Sequence, residues 1–320
     1  MNKNILFFVK AALVLLLVLL FIFASVLPQY SLGFNASLID KAARLRSLEG
    51  PKIVLIGNSN LVFGINSKAI EQAFDMPVVN MGLHGGAGNA FHEEMAKLNV
   101  HPGDIYIISH TNYDDQDNIE NTSVAWLSLE NQFDLWTLIR PKDIPGMAKA
   151  FSSHLRKALA LWASGTGNQA TEDCYSRLAF NEYGDNVYPR PATDRAAVMG
   201  FESQTVPEVG ELTTARLNAL GDYLAARGAT LLIAGYPIAN GEFTPTVAEY
   251  EAFQEELASM LDYPVISYFP NYMFDYSYFY DTIYHLTDDG VDMRTMTLIE
   301  ELDVWMMRND YSPGTTTPAA

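Results

Sequence analysis

The sequence predicts an α/β fold: a central parallel sheet with helices between its strands, set behind an N-terminal transmembrane helix and interrupted by a helical insertion. Three observations carry this. Short apolar, β-branched runs recur at 52–57, 77–80, 105–109 and 229–235 with helical patterns between them, and strands alternating with helices give a parallel sheet whose ligands sit at the strand C-termini. Ile5 to Leu27 is apolar except for Lys10 and Ser25, long enough to cross a bilayer as a helix. Residues 116–205 break the rhythm with tryptophan-bearing helical patterns and a polar stretch.

The N-terminal run exceeds the apolar core of a cleavable signal peptide, and Ala24-Ser25-Val26 is a poor cleavage site. Residues 1–28 are therefore expected to be an uncleaved anchor. Lys3 and Lys10 favour a cytoplasmic N-terminus, while Lys41, Arg44 and Arg46 weaken the bias; a long downstream domain crosses regardless of charge, which places residues 30–320 outside the cytoplasm. Residues 29–50 read as a linker with a short helix over 38–48. The α/β domain is expected over 51–310, and the Thr- and Pro-rich end, 311–320, as a disordered tail.

Within the domain, Asn66 or Ser67 caps a helix over 68–74. Gly82, Gly85, Gly86 and Gly88 form a turn after the second strand, followed by a helix over 90–98. In the insertion, about 116–205, helices are predicted over 124–138 and 147–164, with Trp126, Trp136 and Trp162 as packing residues or as a sugar-stacking surface. A helix over 212–227 ends at Gly228, another spans 247–261, a short strand spans 265–268, and the last helix spans about 291–307.

The chain has 320 residues, 49% of them hydrophobic, enough to bury a sizeable core, and a net charge of −18 that repels nucleic acid. Cys174 is the only cysteine, so an intramolecular disulfide and a cysteine-based metal site are excluded. No histidine pair has zinc-ligand spacing, and the glycine-rich turn lacks the Rossmann spacing and a following phosphate-binding lysine, so neither metal nor cofactor is expected.

Ser59 follows Gly57 and Asn58 at a predicted strand end, where a hydroxyl projects above a sheet edge. The bland reading is a helix cap. Acyl transfer also needs a base, a group that orients the base, and oxyanion donors. His285 is the candidate base, with Asp281 four residues earlier as its orienting carboxylate. The Ser59 and Gly85 amides and the Asn112 side chain are the candidate oxyanion donors, each following a different strand.

Four segments in order resemble the SGNH hydrolase superfamily of GDSL-like esterases. Gly57-Asn58-Ser59 is similar to its first block, with Asn58 where aspartate is usual; Asn80-Met-Gly82-Leu-His-Gly85 is similar to its second. Ser109-His-Thr-Asn112-Tyr-Asp114 resembles the third block without its glycine, and Asp281-Thr-Ile-Tyr-His285 resembles the fifth with one extra residue. The resemblance covers about 52–115 and 229–300. It implies a three-layer, flavodoxin-like α/β/α domain, with Ser59 as nucleophile, His285 as base, and Gly85 and Asn112 as oxyanion donors. With the anchor, it implies an exported esterase or O-acyltransferase acting on cell-envelope glycan or related acyl esters, beside a multispanning membrane acyltransferase. The alternative is a catalytically inactive, anchored glycan-binding or assembly module.

Overall fold

The computed structural model describes residues 3–192, 198–200, 204–241 and 244–311. Four parallel strands form the central sheet: β1 (Ile53–Gly57), β2 (Val78–Asn80), β3 (Ile105–Ser109) and β4 (Thr230–Ile233), in the order β2-β1-β3-β4. The strands are continuous apolar runs because both sheet faces are buried. Val54, Ile56, Tyr106, Ile108 and Leu231 enter one core cluster; Ile53, Leu55, Ile105, Ile107 and Leu232 enter another.

Gly57 pairs with Ser109 at the C-terminal ends of β1 and β3. A Cβ on Gly57 would stand 2.4 Å from the Ser109 carbonyl oxygen, so only glycine permits this approach. The turns after the two strands, 58–60 and 110–112, consequently leave one edge of the sheet together.

Two short strands, β5 (Ile238–Asn240) and β6 (Met273–Asp275), form a separate parallel pair that the sequence reading does not include. The strand expected over 265–268 is reduced to one bridge between Val265 and Ile233. The Tyr268 amide donates to the Glu301 carboxylate at 3.1 Å instead of to a ladder.

The helices are α1 (Lys3–Phe21), α2 (Ser37–Ser47), α3 (Ser59–Val62), α4 (Ser67–Phe74), α5 (Asn89–Met95), α6 (Thr122–Leu129), α7 (Ile144–Ser164), α8 (Glu211–Ala225), α9 (Val247–Met260) and α10 (Asp288–Arg308), of which α3, α4, α5, α8, α9 and α10 lie beside the sheet. Asn66 caps α4 through its side chain, as the sequence predicts. Segment 29–50 is more than a spacer: it carries a helix, Ser37–Ser47, whose Leu38, Ala42 and Leu45 belong to the main core.

The insertion departs from expectation in one place. The helix expected over 124–138 stops at Leu129, Glu130 turns left-handed with φ 46°, and a tight turn over Phe133–Leu138 folds back. In a continuous helix Trp126 and Trp136 would be about 15 Å apart along the axis; the break brings their rings to 5.0 Å. Trp126 also stacks on His154 and donates its indole N–H to the Met147 carbonyl. Trp126 and Trp136 are thus used for packing, whereas Trp162 is 43% exposed.

An N-terminal helix, Lys3–Phe21, continues as a wider π-helical turn over Ile22–Val26. The combined segment Lys3–Val26 is long and apolar enough to cross a membrane, a test that a signal sequence also passes.

Candidate active site

Asn58 and Ser59 sit where β1 runs into the one-turn helix α3. Asn58 is the cap: its side-chain oxygen accepts from the Asn60 amide at 3.0 Å and from the Asn60 side-chain nitrogen at 2.6 Å. The cap reading and the nucleophile reading therefore divide between two neighbours, and the Ser59 hydroxyl points elsewhere. Its Oγ lies 2.9 Å from His285 Nε2. His285 Nδ1 lies 2.8 Å from the Asp281 carboxylate. The extra residue between Asp281 and His285 is absorbed by a turn in which the Thr282 hydroxyl accepts the His285 amide at 3.2 Å.

Sequence positions 59, 281 and 285 are thus in one hydrogen-bonded chain, and His285 is buried while Ser59 is half-buried. For Ser59 to donate to Nε2, the proton of the imidazole must reside on Nδ1, which is the tautomer an ionised Asp281 selects. Burial alone would raise the Asp281 carboxyl. The hydrogen bond and charge of His285, with the Tyr175 hydroxyl that donates to the other carboxylate oxygen, hold it below the usual carboxylate range.

Tyr175 comes from the insertion, whose polar stretch carries no periodicity to mark it. Its neighbour Cys174 is buried, and burial pushes its thiol up to about 11, which leaves it un-ionised at neutral pH.

The expected oxyanion donors fare differently. Gly85 faces Asn58: a Cβ on Gly85 would be 4.0 Å from the Asn58 side-chain nitrogen. That nitrogen donates to the Thr111 hydroxyl at 2.6 Å. Asn112 is exposed, and its side-chain oxygen accepts the Asp114 amide at 3.0 Å, closing a local turn. Thr111, one residue before the expected Asn112, is the member of this loop bonded to the serine turn.

Below the serine turn lies Arg294 of α10, fully buried. Its guanidinium donates to the Asn60 carbonyl, to the Asn60 side-chain oxygen at 2.6 Å, and to the Ser109 hydroxyl at 3.0 Å. No carboxylate pairs with it among the described residues, and burial pushes its pKa down to about 9. The signal was present: positions 294, 298 and 302 share one helical face, and Leu298 and Leu302 are core.

The glycine-rich loop after β2 is held from behind. Lys41 Nζ donates to the carbonyls of Asn80, Gly82 and Gly184, and burial lowers its pKa to about 7 against the pull of Asp185. Asn80 in turn donates to Asp185 and to the Leu61 carbonyl, each at 2.9 Å, and accepts the Gly82 amide. His84, in the same loop, accepts the Gly86 amide through Nδ1; desolvation and the nearby His285 ring lower its pKa.

Among the described residues no group of three or more His, Cys, Asp or Glu side chains is arranged to hold a metal ion. The arrangement offers a hydroxyl, a base within reach of its proton, and a carboxylate that fixes the base. The chain matches no known protein-family profile and no curated protein sequence.

Proposed function

We propose that the protein is a membrane-anchored, extracytoplasmic serine esterase or O-acyltransferase of SGNH type, with a three-layer α/β/α domain. In this reading Ser59 attacks an acyl ester as His285 takes its proton, and the acyl group passes to water or to a glycan hydroxyl. The observation that carries the reading is the chain Ser59–His285–Asp281, with contacts of 2.9 and 2.8 Å across 226 residues of sequence. Cell-envelope glycan as substrate, and a multispanning membrane acyltransferase as partner, rest on the motif resemblance.

Retention of the anchor is supported by the way its end packs. Phe21 and Phe23 contact Trp162, Phe133 and Phe151, and Val26 and Leu27 are buried. Cleavage after Val26 would remove both phenylalanines from that packing.

A second reading, an inactive glycan-binding or assembly module, is favoured by one observation: the Asn58 side-chain nitrogen donates to the Thr111 hydroxyl at 2.6 Å, and the Asn112 side-chain oxygen is taken up by the Asp114 amide at 3.0 Å, so neither side chain is wholly open to a ligand. A fluorophosphonate probe separates the two on the full chain in detergent. The enzyme reading expects labelling of wild type that is lost in Ser59→Ala and reduced in His285→Ala. Equal labelling of all three would overturn it, whereas no labelling, with glycan binding that survives Ser59→Ala, would establish the module.

A further inference from the structure

The insertion helix α7 (Ile144–Ser164) meets the N-terminal segment in an informative way. Phe21 packs edge-on against Trp162 at 5.6 Å, and Phe23 stacks on Phe151 at 6.4 Å. Two residues two positions apart on the N-terminal segment therefore reach residues eleven positions apart on α7. At about 1.5 Å per helical residue these spacings are roughly 3 and 16 Å, so the two helices cross steeply. If the N-terminal helix stands across a membrane, α7 lies along its surface.

The faces of α7 fit that placement. Met147, His154 and Ala158 are buried against the domain. At 100° per residue, Ile144, Ala148, Leu159 and Trp162 fall within a sector of roughly 60°, next to the buried stripe, and all four are exposed. Arg156 and Lys149 border this apolar sector on its outer side; both are exposed and form no ion pair among the described residues. The helix carries Lys149, Arg156 and Lys157 and no acidic residue, in a chain of net charge −18. Phe133, 64% exposed and packed on Phe23, extends the apolar surface beside the anchor. An apolar stripe edged by basic side chains, with an aromatic residue at the boundary, is the pattern of a helix lying in a membrane interface.

We infer that α7, with Phe133, is a membrane-docking face that lies in the surface of a bilayer containing anionic lipid and holds the domain flat against it. This rests on the reading of Lys3–Val26 as a span. In the proposed orientation the acidic remainder of the domain is repelled by the same surface, so α7 also sets which side of the molecule faces the lipid.

Tryptophan quenching by brominated lipids tests this on the full chain reconstituted in lipid-only nanodiscs. The parent is Trp162→Phe, which keeps a ring against Phe21. Into it are placed, singly, Ile144→Trp at the far end of α7 and Leu13→Trp in the middle of the span, with thermal melting as a check on folding. Bromines near the headgroups are expected to quench the Ile144→Trp signal, and bromines deep in the chains the Leu13→Trp signal. In phosphatidylglycerol, adding Lys149→Glu with Arg156→Glu is expected to cut the quenching at position 144 by more than about twofold, without changing that at position 13. Quenching at 13 without quenching at 144 would keep the span and overturn the docking face, leaving that surface to a protein partner. Quenching at 144 alone would keep the docking face without the span, and quenching at neither would overturn both. Insensitivity to the charge reversals would overturn the preference for anionic lipid.

Discussion

The ring of His285 lies on the ring of Phe63, with centroids 4.1 Å apart and planes 24° apart, and the Leu286 amide donates to the Phe63 carbonyl at 3.2 Å. Phe63 directly follows α3, the turn that carries Ser59, so one residue joins the serine turn to the histidine loop by a ring face and a main-chain bond. Arg190 of the insertion covers the Phe63 ring at 5.5 Å and bonds the Leu286 carbonyl at 2.9 Å. Phe63→Leu keeps an apolar filler but removes the flat support for the imidazole. Its expected effect is a loss of about tenfold or more in kcat for an aryl acetate with KM little changed, and a stability cost of about 1–2 kcal/mol by urea titration. An unchanged kcat would show that the stack does not position His285.

Asp281 is held by two donors, and they have separable roles. Asp281→Asn places an amide where the Nδ1 proton needs an acceptor and is expected to reduce kcat about 10²–10⁴-fold. Tyr175→Phe leaves the His285 bond intact and removes only the second donor. Because Asp281 is held below its usual range, its ionised form persists as pH falls and is lost only through that lowered pKa. Without the Tyr175 bond the pKa rises, so the acid limb of the kcat/KM profile should move to higher pH, with a smaller loss at its plateau than Asp281→Asn causes. A pH profile that superposes on wild type would remove Tyr175 from the site.

Glu130 is buried and has a positive φ of 46°. Burial pushes its pKa up to about 8, which the Tyr30 main chain and the Arg177 charge only partly offset. Unfolded, the group ionises near about 4.3. Between these values the native chain holds a proton that the unfolded chain has released, so stability falls as pH rises across that window and levels off above it. Glu130→Gln removes the titration. Its stabilising effect should be near zero at pH 4–5 and grow to about 2–4 kcal/mol by pH 9, read from denaturant midpoints at each pH. A difference that is flat with pH would place the Glu130 proton elsewhere.

The sheet and the serine–histidine chain were legible because each depends on local rules: apolar runs for strands, a small-residue turn at a strand end, a carboxylate near a histidine. The remaining site residues were set by packing over long distances. Tyr175 reaches Asp281 from 106 positions away, in a segment with no period. Thr111 rather than Asn112 bonds the Asn58 side chain, while the Asn112 side-chain oxygen closes the turn to Asp114, a choice of loop register that no local rule encodes. Val265 makes a single bridge to Ile233, and the Tyr268 amide three residues on goes to a distant carboxylate, Glu301. The helix expected over 124–138 was split because pairing of Trp126 with Trp136 required a reversal at Glu130, which periodicity does not encode.

Arg294 is where such long-range support is most concentrated. Its guanidinium fastens Asn60, next to the nucleophile candidate, to Ser109 at the end of the neighbouring strand. Gly64 leaves it room: a Cβ there would stand 2.4 Å from the guanidinium. Burying this charge without a carboxylate costs stability, yet removing it strands the Asn60 carbonyl in a dry interior and leaves the Asn60 side-chain oxygen only the Ser109 hydroxyl at 3.3 Å, at about 1–3 kcal/mol for each lost partner. The second effect is expected to win, so Arg294→Met should destabilise by about 2–4 kcal/mol. The part of its effect that concerns the site is read separately. If Arg294 positions Ser59 through Asn60, then kcat falls in Arg294→Met with KM held, and Arg294→Lys, which keeps one donor and the charge, recovers part of kcat. If Arg294 serves stability alone, both variants lose melting temperature but retain wild-type kcat per folded molecule, counted by fluorophosphonate titration below their melting points.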